Sequence, residues 1–119
     1  MRKTLVFLTV VLLAMVVVGS AAAADLQGFL VDRHCSAKVV KEGQKAAQSH
    51  TRECALMPDC VASGYGVLTP EGKFITLDSA GNKMAEAALK ASQKKNELRV
   101  QLSGQVSGDS IKVANLKLL

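Results

Sequence analysis

The sequence predicts a mainly β protein with helices, in the α+β class, and three patterns carry that expectation. Residues 98–103 alternate, with Leu98, Val100 and Leu102 on one side and Arg99, Gln101 and Ser103 on the other. Such alternation marks a strand with one buried face. Two short apolar stretches, 65–68 and 73–77, flank Thr69-Pro70-Glu71-Gly72, where Pro at the second turn position and Gly at the fourth suit a type I turn. Between these hairpin signals lies 83–90, a run of strong helix formers behind Asn82, the expected N-cap.

The elements then follow in order. Residues 26–31 are a short apolar strand ended by Asp32-Arg33-His34. The Lys-, Ala- and Gln-rich stretch 36–48, interrupted by Gly43, is a loop or weak helix. Residues 50–63 are expected to be helical, with Gly64 as the stop and Pro58 kinking or splitting the helix. In the helix after Asn82, Met84, Ala85, Ala88, Leu89 and Ala91 line one face. The closing hairpin turns at Ser107-Gly108-Asp109, and the broken alternation near Asn115 predicts a bulge. Five strands with a helix between the third and fourth are the element order of an OB-like Greek-key barrel, here with a Cys/His-bearing helical insertion between strands 1 and 2. Closure of a narrow barrel suits a chain with only 3% aromatic residues. The alternative is an open α+β sheet with both helices on one face.

Residues 1–24 are expected to be a cleaved signal peptide. Arg2 and Lys3 form a positive start, residues 5–18 an apolar run broken only by Thr9, and small residues end in Ala-x-Ala before Asp25. An apolar run of about 14 residues is short of the roughly 20 that span a bilayer. Residues 25–119 then form one domain, periplasmic or secreted, with no membrane association once the leader is removed. Without the leader the formal charge falls from +5 to +3, too mild to call for an anionic polymer or lipid surface. Phe29, Tyr65 and Phe74 are the aromatic residues left for stacking and must also serve the core, so nucleic acid is excluded as a partner.

Every cysteine and histidine falls between positions 34 and 60: His34, Cys35, His50, Cys54 and Cys60, with Met57 beside them. If 50–57 is helical, His50 and Cys54 share a face and Met57 continues the stripe. Imidazole, thiolate and thioether suit copper(I), or zinc when two thiolates join. The predicted metal set is therefore Cys35, His50, Cys54 and Cys60, with Met57 and His34 as further candidates. Alternatively, Cys35 forms a disulfide with Cys54 or Cys60 and leaves one thiol over, since export favours disulfides and three is odd. Cys54 and Cys60 would lie about 9 Å apart along a continuous helix, beyond disulfide reach unless Pro58 breaks it. Neither C-x-x-C nor C-x-x-C-H occurs, so thiol oxidoreductase and covalent haem signatures are missing. Nor is there a carboxylate pair for acid–base catalysis or a Gly-rich phosphate loop: Asp32, Glu53, Asp59 and Asp78 suit caps and turns. Ser63-Gly64-Tyr65-Gly66 is either a helix stop leading into a strand or a close-approach surface for a ligand.

Gly28-Phe29-Leu30-Val31-Asp32 with Cys35, then His50-x3-Cys54-x5-Cys60, then Ser63-Gly64-Tyr65-Gly66 resembles a set of small exported bacterial domains of unknown function. That resemblance covers nearly all of residues 25–119. It implies a single OB-like barrel with a helical Cys/His insertion, and treats Cys35, His50, Cys54 and Cys60 as one unit. It implies no activity. Two functions follow as expectations: a non-enzymatic exported domain whose cluster binds copper or zinc or forms a disulfide around an interaction surface, and an OB module binding a cell-wall oligosaccharide or partner protein. A redox enzyme is the third reading, and it lacks a resolving cysteine at useful spacing and any base beyond His50.

Overall fold

The alternation read in the sequence closes on itself. The structure, a computed structural model, describes residues 23–119. Its strands are β1 (Ala23–Asp32), β2 (Tyr65–Leu68), β3 (Phe74–Leu77), β4 (Arg99–Ser107) and β5 (Ser110–Leu118). They form a closed barrel in the order β1-β2-β3-β5-β4, with β3 and β5 parallel and the other neighbours antiparallel. Helices α1 (Arg33–Glu42), α2 (Gln44–Ser49), α3 (Arg52–Ala55) and α4 (Pro58–Ser63) lie between β1 and β2, and α5 (Ser79–Ala91) between β3 and β4. Of the expected leader, residues 1–22 lie outside the described residues. Ala23 and Ala24 open β1, opposite Gln105 and Gly104. Among the described residues no helix is long and apolar enough to cross a membrane.

Val100 and Leu102 of β4 point inward with Ile111 and Val113 of β5, against Leu30, Val67, Ile75 and Leu77. Arg99 and Gln101 are exposed. The bulge stands one residue from its expected place: pairing passes from Ser103 with Asn115 to Gly104 with Val113, leaving Ala114 over. That extra residue reverses the parity of β5, so Leu116 and Leu118 still pack on the core. β1 pairs with β4 through Phe29 and with β2 from Phe29 onward. At this crossing a Cβ on Gly28 would overlap the Leu68 carbonyl oxygen, so only glycine lets the strands close so tightly.

A second, smaller core forms outside the barrel. Phe29 and Val31 project from β1 onto Val39 of α1 and Ala47 of α2, with Leu68. The end of β1 is thereby buried on both faces, which accounts for its unbroken run Phe29-Leu30-Val31. The Thr69–Gly72 turn is as expected, closed by the Gly72 N–H on the Thr69 carbonyl at 2.9 Å with Gly72 at φ 83°.

One expectation about the helices is resolved and one needs correction. Stretch 36–48 is helical as α1 and α2, broken at Gly43, whose φ of 87° suits a residue without a side chain. Helix α5 begins a turn before Asn82, because Asp78 is the N-cap: its Oδ1 accepts from the Gly81 N–H at 2.9 Å and from the Val113 N–H at 3.2 Å. Gly81, a poor helix former, hid this start; there a side chain would collide with Val113, so the small residue lets α5 settle on β5. The buried stripe is Gly81, Ala85 and Leu89, while Ala91 is exposed.

Leu102→Ala is expected to lower the unfolding free energy by about 2–5 kcal/mol in urea titrations, the usual cost of a cavity at a fully buried leucine. Gln101→Ala, one residue away and facing solvent, should change it by no more than about 0.5 kcal/mol.

Candidate metal centre

The site is built on the last residue of β1. Asp32 is completely buried, and a carboxylate there needs partners for both oxygens. As N-cap of α1 its Oδ2 accepts from the Cys35 N–H at 2.9 Å, and Oδ1 lies 2.7 Å from Nε2 of His50. The first contact places Cys35 in the opening turn of α1 beside the carboxylate. The second ties the end of α2 to the barrel.

The helix expected over 50–63 is split at Pro58, as that residue implied, and its first part starts only after Thr51. Thr51 caps α3 by accepting from the Cys54 N–H at 3.1 Å, and α3 ends after one turn. Pro58 is the first residue of α4, where its missing N–H costs nothing, and it holds Met57 in an extended conformation. His50 lies outside α3, as the extended C-cap of α2, so the shared helical face with Cys54 does not exist; its ring turns to Asp32 instead. The break also removes the axial separation that set Cys54 and Cys60 apart.

Among the described residues, Asp32, Cys35, Cys54 and Cys60 form a group that can hold a metal ion: a carboxylate oxygen and three Sγ atoms lie within 4.8 Å of one another. All three cysteines are free thiols. Cys60 is buried, and Cys35 and Cys54 are half-buried. His50 reaches the group through Asp32. His34 is exposed and outside it; its backbone N–H bonds Ser63 Oγ at 3.1 Å. Met57, the N-cap of α4, is 53% exposed. Asp32 itself was read as a cap only. It is one, and the signal that extends its role is the Asp-x-x-Cys spacing at a strand end, since an N-cap carboxylate meets the backbone of the third residue on.

The carboxylate and the thiols act on one another's protonation. Burial works against the ionised form of Asp32, but the hydrogen bonds from His50 and the Cys35 N–H, the imidazole's charge and the Cys60 thiol outweigh it and hold its pKa below the ordinary 3.8. The thiols go the other way. Burial first, then the negative charge of Asp32 and the neighbouring Cys54, push Cys35 up to about 11. Burial and the thiol's hydrogen bond to Asp32 push Cys60 up to about 12. These sulfurs therefore keep their protons at neutral pH unless a cation replaces them.

Ser63-Gly64-Tyr65-Gly66 clamps the insertion to the barrel. Ser63 Oγ donates to the Cys60 carbonyl at 2.6 Å and accepts from the His34 N–H, joining α4 to α1. Gly64, at φ 81°, ends α4, and its carbonyl accepts from the Arg33 N–H at 2.8 Å. The Tyr65 hydroxyl donates to the carbonyl of Ala55, the neighbour of Cys54, at 2.7 Å. Tyr65 is 1% exposed, so it is a strut and presents no ligand surface. Arg52 completes the frame, its Nε donating at 2.6 Å to the Leu89 carbonyl at the end of α5.

Above the sulfurs opens a cleft of about 490 Å³, with Cys35, His50 and Cys54 in its lining and Lys38, Glu42 and Lys45 around it. No protein-family model, no curated protein and no solved structure matches the chain.

Tyr65 is the chain's one tyrosine and there is no tryptophan, so phenolate absorbance reports on it alone. Burial and the charges of Glu86 and Asp32 raise its pKa to about 12. Its titration is expected there in the folded protein, and a midpoint near 10 would contradict the buried strut. Because the folded value exceeds the unfolded one, Tyr65's contribution to stability is complete below pH 10 and declines as pH rises towards 12. Asp32 has the opposite sign: its ionised form supports the fold fully above pH 3.8, and that support is lost as pH falls through the lower folded value. Asp32→Asn should cost about 1–3 kcal/mol in metal-free, reducing urea titrations and flatten the acid limb.

Proposed function

We propose that this protein is a small exported, non-enzymatic domain in which Cys35, Cys54 and Cys60, with Asp32 as a fourth donor and His50 behind it, hold one soft transition ion, copper(I) or zinc. The convergence of three sulfurs from three short helices on one buried carboxylate carries this reading. Thiolates select soft ions, and three sulfurs with an oxygen make a four-donor set of the kind zinc takes, while the sulfurs alone suit copper(I). His50 fits the outer position, since an imidazole bonded to a ligating carboxylate orients it. A cation also offsets the burial and the negative charge of Asp32 that keep Cys35 and Cys60 protonated, so binding releases protons and tightens with rising pH.

The surroundings support the rest. The leader-like residues 1–24 and the resemblance to small exported bacterial domains favour a periplasmic or secreted location, where cysteines face an oxidant. The strand order and the place of α5 between β3 and β4 support an OB-like Greek-key barrel. The same sulfur distances favour one competing arrangement, a disulfide of Cys35 with Cys54 or Cys60 that staples the insertion and leaves a thiol over. An OB module binding a cell-wall oligosaccharide or a partner protein would use the barrel wall instead.

Protein purified under reducing, metal-replete conditions is expected to carry one equivalent of zinc or copper by elemental analysis. Cys54→Ser and Cys60→Ser should each lower retention at least tenfold in chelator competition, and His50→Ala by about tenfold. Less than 0.1 equivalent (about the background of such a measurement), together with one disulfide in a non-reducing peptide map of protein isolated without reductant, would replace the metal reading with the staple.

A further inference from the structure

We infer, on the reading that the cluster holds a soft ion, that the cleft over Cys35 and Cys54 is the port through which that ion is exchanged with a small anionic chelating ligand. Access to the cluster is one-sided. Cys60 is 3% exposed and Asp32 not at all, and neither lines the cleft, whereas Cys35 and Cys54 do. An approaching ion on this side therefore meets these two sulfurs first and the buried pair afterwards. The opening is far larger than an ion requires. About 490 Å³ falls in the range of small-molecule sites, roughly 300–1,000 Å³.

The rim selects the charge of what enters. Lys38 stands one turn after Cys35 on α1 and so on the same side of that helix, and Lys45 belongs to the first turn of α2. Both are exposed and line the cleft, with Glu42 as the one acid among its lining residues and His50 at its edge. At the rim two cations stand against one anion and attract a carboxylate-bearing ligand, while the Asp32 carboxylate beneath the sulfurs draws the cation inward, so the ion is delivered or taken as an anionic complex. Exchange is ligand substitution without change of oxidation state. Each bond from the ion to the carrier is replaced by one to a sulfur, Cys54 or Cys35 first. The thiol proton passes to the departing carrier donor or to water. Cys60 and Asp32 then complete the set, and unloading runs the same steps in reverse.

The test uses the protein loaded with one equivalent of zinc and two extractors, an anionic aminopolycarboxylate and an uncharged pyridine-type chelator. Lys38→Glu combined with Lys45→Glu is expected to slow extraction by the anionic chelator about tenfold at low ionic strength. That gap should narrow at high salt, and the uncharged chelator should be unaffected. Ser49→Trp, at an exposed lining position, should slow both extractors while the circular dichroism spectrum is retained. Wild-type rates with the anionic chelator in the charge-reversed variant, or wild-type rates in folded Ser49→Trp, would overturn the port and leave the metal site standing. Failure of the wild-type protein to take up any ion would remove the metal site and the port together.

Discussion

A carboxylate with no solvent contact must be answered by donors from the protein, and in this chain the answer organises everything around it. Asp32 ends β1, so its position is set by the barrel through pairing with Tyr65 of β2. Its partners come from the insertion: the backbone of Cys35 in α1, the ring of His50 after α2 and the thiol of Cys60 in α4. Leaving any of these buried groups unpaired would cost on the order of 1–3 kcal/mol, a large fraction of a small domain's stability. The insertion is thus held in one arrangement on the barrel, and the sulfurs are carried to one place. Burial first, and the same negative charge after it, raise the pKa values of Cys35 and Cys60.

Four helices of ten residues or fewer cannot persist by local hydrogen bonding alone. Each is terminated by a specific device and tied elsewhere: Asp32 and Thr51 as caps, Gly43 and Gly64 as stops, Pro58 as a start. Long-range bonds then fix the set. Gln44 Nε2 donates to the Thr69 carbonyl in the hairpin turn at 2.8 Å, and Gln48 Nε2 to Glu97 before β4 at 2.6 Å. Arg52 reaches the end of α5 and Tyr65 the end of α3. The cysteines therefore sit on short elements made rigid by their attachments, as a site needing fixed donor positions requires.

Metal retention and disulfide formation draw on the same sulfur electrons, so each excludes the other at any one pair of thiols. The proximity of Cys35, Cys54 and Cys60 is common to both, and what separates them is the state of the thiols when an ion or an oxidant arrives. Asp32 weighs in this competition, because it favours a cation while opposing the thiolate that would attack a disulfide. The helix break at Met57 brings Cys60 beside Cys54, a proximity that the spacing of the two in the sequence does not show.

Local sequence determined much of this protein. Alternation at 98–102 and 111–113, the Thr69–Gly72 turn, Gly64 as a stop and Pro58 as a break are short-range effects, and each is legible without knowing the fold. The closed five-stranded barrel follows from those strands once their edges pair. Confinement of Cys and His to 34–60 likewise marked the region of the site. Tertiary structure alone decided which donors meet. His50 looked like a neighbour of Cys54 because a helix was drawn through both, yet Thr51 starts a new helix and leaves the ring to Asp32. Asp32 looked like a cap, which it is, but its meeting with Cys54 and Cys60 depends on how the insertion folds back over the end of β1. Asp78 took the cap expected of Asn82 because the start of α5 depends on contact with Val113, thirty-five positions along the chain. Spacing can announce which residues carry chemistry, but burial, which sets their charge and chooses their partners, exists only after distant segments have packed.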